Sequence, residues 1–526
     1  MIASLVVKVI GAFFQIPLQN LIGGESSPAF GLFSAAYRIY TAMLVISTVG
    51  LPAALSKMVA EATACGRERE VRRIVRVAAG IFVPVGALAT VILLCGADTF
   101  AGWIKNPDAE LAVMAIAPSV LMVSILSVFR GYYQGRSNMV PTAVSQVIEA
   151  MGKLFVGLGL AWYAVQQGMN EPQTAAMAVL GVTLGEVVAA AYMLVQAAAT
   201  RRRAERVRVL NDAVRPTGQL AKTLLSLSIP ITISSAVMSL TDLIDVALIS
   251  ARLQSPAVGM TAEQATTAYG IYTGNAVNFF NLPQTLITAL AVSVLPTIAS
   301  ARAAQNFTKV SRTLATTLRL TMIITLPAGA GFLLLSGPVL RLFYSEGTEL
   351  GGQLMALLGF AVPAVALVAI TNAVLQAFGR IDLPLISMFL GALVKIFGDY
   401  YLIGIPELNI AGAPISTAVC YWLIALINLF HISRLSHSLP PIGKTVGRPL
   451  AATVGMGAAT YICHTVLLRV TDAAPGAAAD KLVTLVVIAV AVAVYGVLLL
   501  MLHAVDREDM LLLPKGEKIA DILHLK

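Results

Sequence analysis

The sequence predicts an all-α polytopic membrane protein of about 14 transmembrane helices, arranged as two pseudo-repeated six-helix lobes plus two C-terminal helices. Three observations predict it. Of 526 residues, 58% are hydrophobic and only 12% charged, with a mean hydropathy of +0.83; soluble domains average roughly 25% charged. Apolar runs of membrane length recur from end to end. Blocks of the first half return in the second at near-constant spacing.

Taken in order, spans are expected near residues 2–22, 30–60, 74–96, 111–133, 141–164, 174–199 and 224–250. Seven more follow near 268–298, 314–336, 350–377, 383–403, 410–432, 449–468 and 482–503. Each is long enough to cross a hydrocarbon core of roughly 30 Å at about 1.5 Å per residue. The first run lacks a convincing basic head and a clear small-residue cleavage site, so it is expected to be a retained helix and not a signal peptide. The organisation expected is an N-terminal lobe over 1–200, a basic cytoplasmic linker over 201–222 and a C-terminal lobe over 223–435. Two further helices (436–505) and a cytoplasmic amphipathic tail (506–526) complete it.

The polar breaks between these runs set the orientation. Alternate breaks hold about 23 Lys and Arg residues, including Arg67, Arg69, Arg72 and Arg73, the Arg201–Lys222 cluster, and Arg434, Lys444 and Arg448. The opposite breaks hold five: Lys105, Arg252, Arg341, Arg469 and Lys481. The rich side is expected in the cytoplasm, which puts both termini on the inner side of the membrane. The net charge of +9 is then a topological bias facing anionic phospholipid, and no nucleic-acid partner is expected. Cys65, Cys95, Cys420 and Cys463 have no paired spacing, so neither disulfide nor metal is expected. No Gly-rich phosphate loop, nucleophile elbow or ligand cluster argues for an enzyme.

The repeat is read from matched residues. Leu51 and Leu295, Pro52 and Pro296, Ser56 and Ser300, and Ala60 and Ala304 are each 244 apart, as are Gly135–Arg136 and Gly379–Arg380. After a short contraction, Lys153 and Phe155 match Lys395 and Phe397 at an offset of 242. Six helices per half return the chain to the same side, so the repeat is parallel, and transporters so built hold substrate near the midplane between halves. Pro52 and Pro296 occupy equivalent places, as paired gate kinks or as static kinks that improve packing.

Inside the apolar runs stand charges that cost about 2.5–3.5 kcal/mol each at a helix centre unless they have partners, water or a charged ligand. Lys8, Arg38 and Arg130 offer donors suited to phosphate oxygens, Arg38 having internal pairing or snorkelling as its alternative. Glu149 with Lys153, and Lys395 with Asp399, are four apart and can neutralise one another along one helix face. Lys153 and Lys395, at matching repeat positions, can instead face each other across a cavity with an anionic ligand between them. Glu186 has no cation on its own helix and is expected either as a hydrogen-bonding acid or as a proton-coupling site. Asp242 and Asp245 share a face as a cation or proton site would require. Tyr132, Tyr133, Tyr400 and Tyr401 are expected as interfacial anchors, with contact to sugar rings as the alternative.

The segments "GAFFQIPLQNLIG", "GLFSAAYRIYTAMLVISTVGLPAALSKMVAEA", "FRGYYQGRSNMVPTAVSQVIEAMGKL", "SIPITISSAVMSLTDLIDVALI" and "DREDMLLLPKGEKIADIL" resemble the multidrug/oligosaccharidyl-lipid/polysaccharide exporter superfamily. Within it the chain is similar to the polysaccharide-biosynthesis branch that contains stage V sporulation protein B and the lipid II flippases. That resemblance implies two lobes around a central cavity and movement of an undecaprenyl-diphosphate-linked glycan precursor, for cell wall, spore cortex or exopolysaccharide, to the outer leaflet. It implies no cofactor; energy is expected from the membrane potential or from proton or sodium coupling, with cell-wall synthesis enzymes as possible partners. The alternative is a cation-coupled multidrug exporter of the same superfamily. A third reading, a scaffold recruiting cell-wall enzymes, leaves the buried charges unexplained.

Overall fold

In hydrocarbon every backbone N–H and C=O must be satisfied within its own segment, and this chain meets that requirement with helices. The structure is a computed structural model that describes residues 2–23, 27–48, 50–204, 215–380, 382–436, 443–471 and 477–505. Helices α1 (Ile2–Ile22), α2 (Ala29–Thr48), α3 (Gly50–Ala64), α4 (Glu68–Cys95) and the short α5 (Ala97–Trp103) lead to α6 (Glu110–Gly135). One span is then made of α7 (Val140–Met151), a π-helical segment (Gly152–Gly157) and α8 (Leu158–Gln166), followed by α9 (Glu171–Ala204) and α10 (Thr217–Leu253). Helix α11 (Ala262–Ile271) runs through a second π-helical segment (Tyr272–Val277) into α12 (Asn278–Ala303). The remainder are α13 (Phe307–Phe343), α14 (Thr348–Gly359), α15 (Ala361–Ala377), α16 (Asp382–Leu402), α17 (Gly412–Ser436), α18 (Arg448–Thr471) and α19 (Ala477–Met501).

Nine helical spans among the described residues are long and apolar enough to cross a membrane, or ten if α14 and α15, bent by 47°, form one span. The other four expected spans fall on α1, α2 with α3, α10, and α11 with α12, parts of which lie outside the described side chains.

The helices sort into two units, Met1–Gly270 and Ile271–Lys526. Helix α10 packs on α2, α3 and α4, so the seventh expected span sits with the first unit, and the packing boundary falls later than the sequence boundary at 223. The cause is local. Leu220 and Leu224 of α10 are buried with Leu51, Leu55 and Met58 of α3. Gly50 lies so close to α10 that a Cβ there would come within 2.0 Å of the Thr232 hydroxyl. In the second unit α12, α13, α15 and α17 share a core that includes Val294, Leu314, Ile370, Val374 and Ile424. The last two helices pair with each other and lean on α13, where the Tyr495 hydroxyl donates to the Ile323 carbonyl at 2.8 Å.

The two repeat-related prolines have different settings. Pro52 is the third residue of α3, where a missing N–H breaks no intrahelical bond, whereas Pro296 lies within α12 with its side chain outside the description.

Candidate functional site

The charges of the first unit are brought together by glycines. A Cβ added to Gly152 would lie 2.4 Å from the Cα of Gly185, and one on Gly181 would lie 2.1 Å from the Cα of Gly157. Backbone therefore touches backbone where the π-helical segment crosses α9, as small residues allow between membrane helices. Gly181→Val is expected to cost about 1–3 kcal/mol by overpacking this crossing; a lower thermal unfolding midpoint in detergent would register it.

That crossing sets Lys153 and Glu186 beside α2. The Lys153 ammonium donates to the Tyr37 hydroxyl at 2.9 Å and stands 4.1 Å from the Tyr37 ring centroid and 4.9 Å from that of Phe14. Tyr40, one helical turn on, donates its hydroxyl to Glu186 Oε1. Glu186 is fully buried and its Oε2 has no hydrogen-bond partner among the described residues. Phe30, Phe33, Tyr37 and Tyr40 form a continuous ring ladder along α2, with centroids 5.7, 5.7 and 5.4 Å apart.

The expected Glu149–Lys153 pair is not made among the described residues. Glu149 instead takes the Arg130 guanidinium of α6 at 2.9 Å, and Arg130 Nε donates to the Ser145 hydroxyl at 3.1 Å. The reason is the π-helical segment, which begins between the two residues: its wider turn moves Lys153 away from the face that Glu149 occupies. Arg130 is buried, and the Glu149 side chain keeps 27% exposure.

The second unit holds a different kind of pair. On the regular helix α16, Lys395 reaches Asp399 at 2.9 Å, and the Ser416 hydroxyl of α17 donates to the other carboxylate oxygen. Asp399 is wholly buried and the Lys395 side chain 7% exposed. Farther along the same two helices, Asn428 is fully buried and bonds Thr371 and Asn372 of α15 and Ser387 of α16.

Other residues expected at the site are more dispersed. Lys8 lies on α1 and Asp242 on α10, both with side chains outside the description; Asp245 and Arg38 are partly buried. Tyr133 is buried and stacks edgewise on Tyr132, whose face carries the Arg136 guanidinium at 5.2 Å, while Tyr400 and Tyr401 are exposed. Sequence reasoning missed Tyr37, Tyr40, Phe14 and the Ser145 and Ser416 hydroxyls. The spacing 30, 33, 37, 40 along α2 was the available signal for the ladder. It also missed Glu70, fully buried at the start of α4, which is gripped by Arg215 and by Arg67 at 3.4 Å inside a run otherwise read as solvated.

A bundle of membrane-length helices in two units, with matched charges sunk into each, defines a multi-pass membrane transporter. The family is now specific. The chain belongs to the lipid II flippase MurJ family, whose model matches residues 33–472; that is a family of bacterial flippases and not of enzymes. Stage V sporulation protein B of Bacillus subtilis (strain 168) is 26% identical over 521 residues, covering 97% of this chain and 96% of the relative. A lipid II flippase MurJ structure in an inward closed conformation superposes with a TM-score of 0.70 at 15% identity, over 94% of this chain and 97% of that one. An inward-facing multidrug resistance MATE family transporter of the MOP superfamily gives 0.65 at 17% identity, over 82% and 95%. The flippase family expected from the sequence is thereby shown, and the structures of the MOP superfamily share its fold.

Proposed function

We propose that this protein carries an undecaprenyl-diphosphate-linked glycan precursor from the inner to the outer leaflet by alternating access, with both termini in the cytoplasm. The observation that carries this reading is the setting of Lys153. Among the described residues its ammonium is matched by a phenol hydroxyl and two aromatic faces, not by a carboxylate. Such contacts are worth about 0.5–2 kcal/mol each, so a diphosphate oxygen can displace them at small cost. Arg130, whose carboxylate partner is partly exposed, supplies the second cation. Outward passage of each negative charge across an inside-negative potential releases roughly 2.3 kcal/mol per 100 mV, which favours export.

We assign coupling to Glu186, because a bare carboxylate oxygen at that depth needs a proton or a small cation beside it. Tyr40 holds its other oxygen, and Glu149, Arg130 and Lys153 are its charged neighbours. Glu186→Gln is expected to keep the fold and leave transport that no longer responds to a pH gradient across the vesicle; an unaltered response would remove Glu186 from coupling.

Reconstitution with a fluorescent lipid-diphosphate oligosaccharide tests the main reading. Lys153→Ala is expected to slow its movement at least tenfold with the thermal midpoint nearly unchanged. Extrusion of cationic dyes without movement of the lipid would overturn the reading in favour of a drug exporter.

A further inference from the structure

Two of the five basic residues on the basic-poor side, Arg341 and Lys481, line one cavity of ≈ 280 Å³ in the second unit. Arg341 ends α13 and Lys481 lies in the second turn of α19, so residues 140 positions apart meet at one end of the bundle. Both side chains are exposed, and neither makes an ion pair among the described residues. Thr348, Ser345 and Thr484 add hydroxyls to the lining, and Asp480 is its one carboxylate. Two cations against one anion leave the cavity net positive.

The walls are built, not incidental. Leu335 of α13 packs with Val483 and Val487 of α19, which fixes the two cation-bearing helices against each other. The connection between α13 and α14 is pinned from behind: the Tyr344 hydroxyl donates to the Gly274 carbonyl at 2.8 Å, and the Asn275 amide donates to the Gly347 carbonyl at 3.1 Å. Gly347 precedes α14 at φ 66°, a left-handed conformation that suits glycine, and it brings no side chain to cap the helix. The first amides of α14, at the edge of the cavity through Thr348, are thus left without a side-chain cap. Uncapped first-turn amides and the positive helix end favour an oxyanion.

We propose that this cavity is an oxyanion site for a phosphate or diphosphate group, at the end of the second unit that the charge asymmetry predicts to face outward. Arg341 and Lys481 supply charge from opposite walls, and the Thr348 end of α14 supplies backbone donors. Its place on the exit side of the transport cycle rests on the flippase reading above; the binding of the anion does not.

The chemistry is shared by a lipid headgroup and a free anion, and the test separates them. Full-length protein in detergent is titrated with radiolabelled pyrophosphate. Arg341→Ala and Lys481→Ala are each expected to weaken the affinity at least fivefold, and Asp480→Asn to tighten it, since it removes the opposing charge. Equal binding by wild type and by the folded double variant Arg341→Ala/Lys481→Ala overturns the site. In parallel, wild type and the double variant are placed in phosphatidylcholine nanodiscs containing a polyprenyl diphosphate and analysed by native mass spectrometry. Retention of that lipid by wild type and its loss from the double variant assign the site to the headgroup; pyrophosphate binding with no difference in lipid retention assigns it to a free anion. Because pyrophosphate binding is read without transport, a protein that moves lipid yet binds pyrophosphate equally in both forms overturns this site alone.

Discussion

Arg130→Ala is expected to reduce lipid transport by at least an order of magnitude and to destabilise the protein by about 2–3 kcal/mol. The stability loss follows from what is left behind. Removing one partner of an enclosed ion pair costs about 3–5 kcal/mol, most of it the price of stranding the other charge; Glu149 keeps 27% exposure and is partly relieved by solvent. Arg130 also satisfies the Ser145 hydroxyl, which retains the Thr142 carbonyl at 2.8 Å, so that side adds little. The double variant Arg130→Ala/Glu149→Ala separates the two effects. It removes both charges and is expected to recover all but about 1 kcal/mol of stability. Transport is expected to stay low, because the guanidinium proposed to receive the diphosphate is still missing. Thermal unfolding and vesicle transport measured on the wild type, Arg130→Ala, Glu149→Ala and the double variant complete the cycle, and a double variant that regains both stability and transport would make Arg130 structural only.

The fold was legible where physics acts locally. Runs of apolar residues longer than a bilayer core can fold only as helices there, and that constraint needs no knowledge of tertiary contacts. The pair Lys395–Asp399 was legible for the same reason, since four residues of regular helix put both on one face. Glu149 and Lys153 have the same spacing but do not pair, because Gly152–Gly157 adopts a π-helical turn. Nothing within "EAMGK" announces that turn; it is coupled to the contact of Gly152 and Gly157 with Gly185 and Gly181, which lie some 25–35 positions away. The grouping of α10 with the first unit escaped the sequence similarly. A basic linker at 201–222 looks like a boundary, yet the burial of Leu220 and Leu224 against α3 decides where the helix packs. Glu70 shows the converse error, a carboxylate in an arginine-rich run that is fully buried although the arginines that pair with it, Arg67 and Arg215, keep 45% and 36% exposure.

Asp399→Ala is expected to be among the most destabilising single charge substitutions in the second unit, at about 3–5 kcal/mol, since it strands the Lys395 ammonium in a site with almost no solvent. It also frees the Ser416 hydroxyl, although the Ala413 carbonyl at 3.0 Å can take that proton. Replacing both charges by apolar groups of similar volume, Lys395→Met/Asp399→Leu, is expected to restore the thermal midpoint to near that of the wild type, because desolvating an ion pair cancels most of its Coulomb gain. Transport should follow stability here, in contrast to the Arg130 pair. Asp399 is completely enclosed and already neutralises Lys395, so the pair presents little net charge to a substrate. Glu149, by contrast, is open enough for an incoming oxyanion to compete for Arg130. The double variant is therefore expected to move lipid within a fewfold of the wild-type rate. If it folds normally and transports ten times more slowly, Lys395 contributes charge to the substrate path, and the difference in burial between the two pairs does not sort their roles.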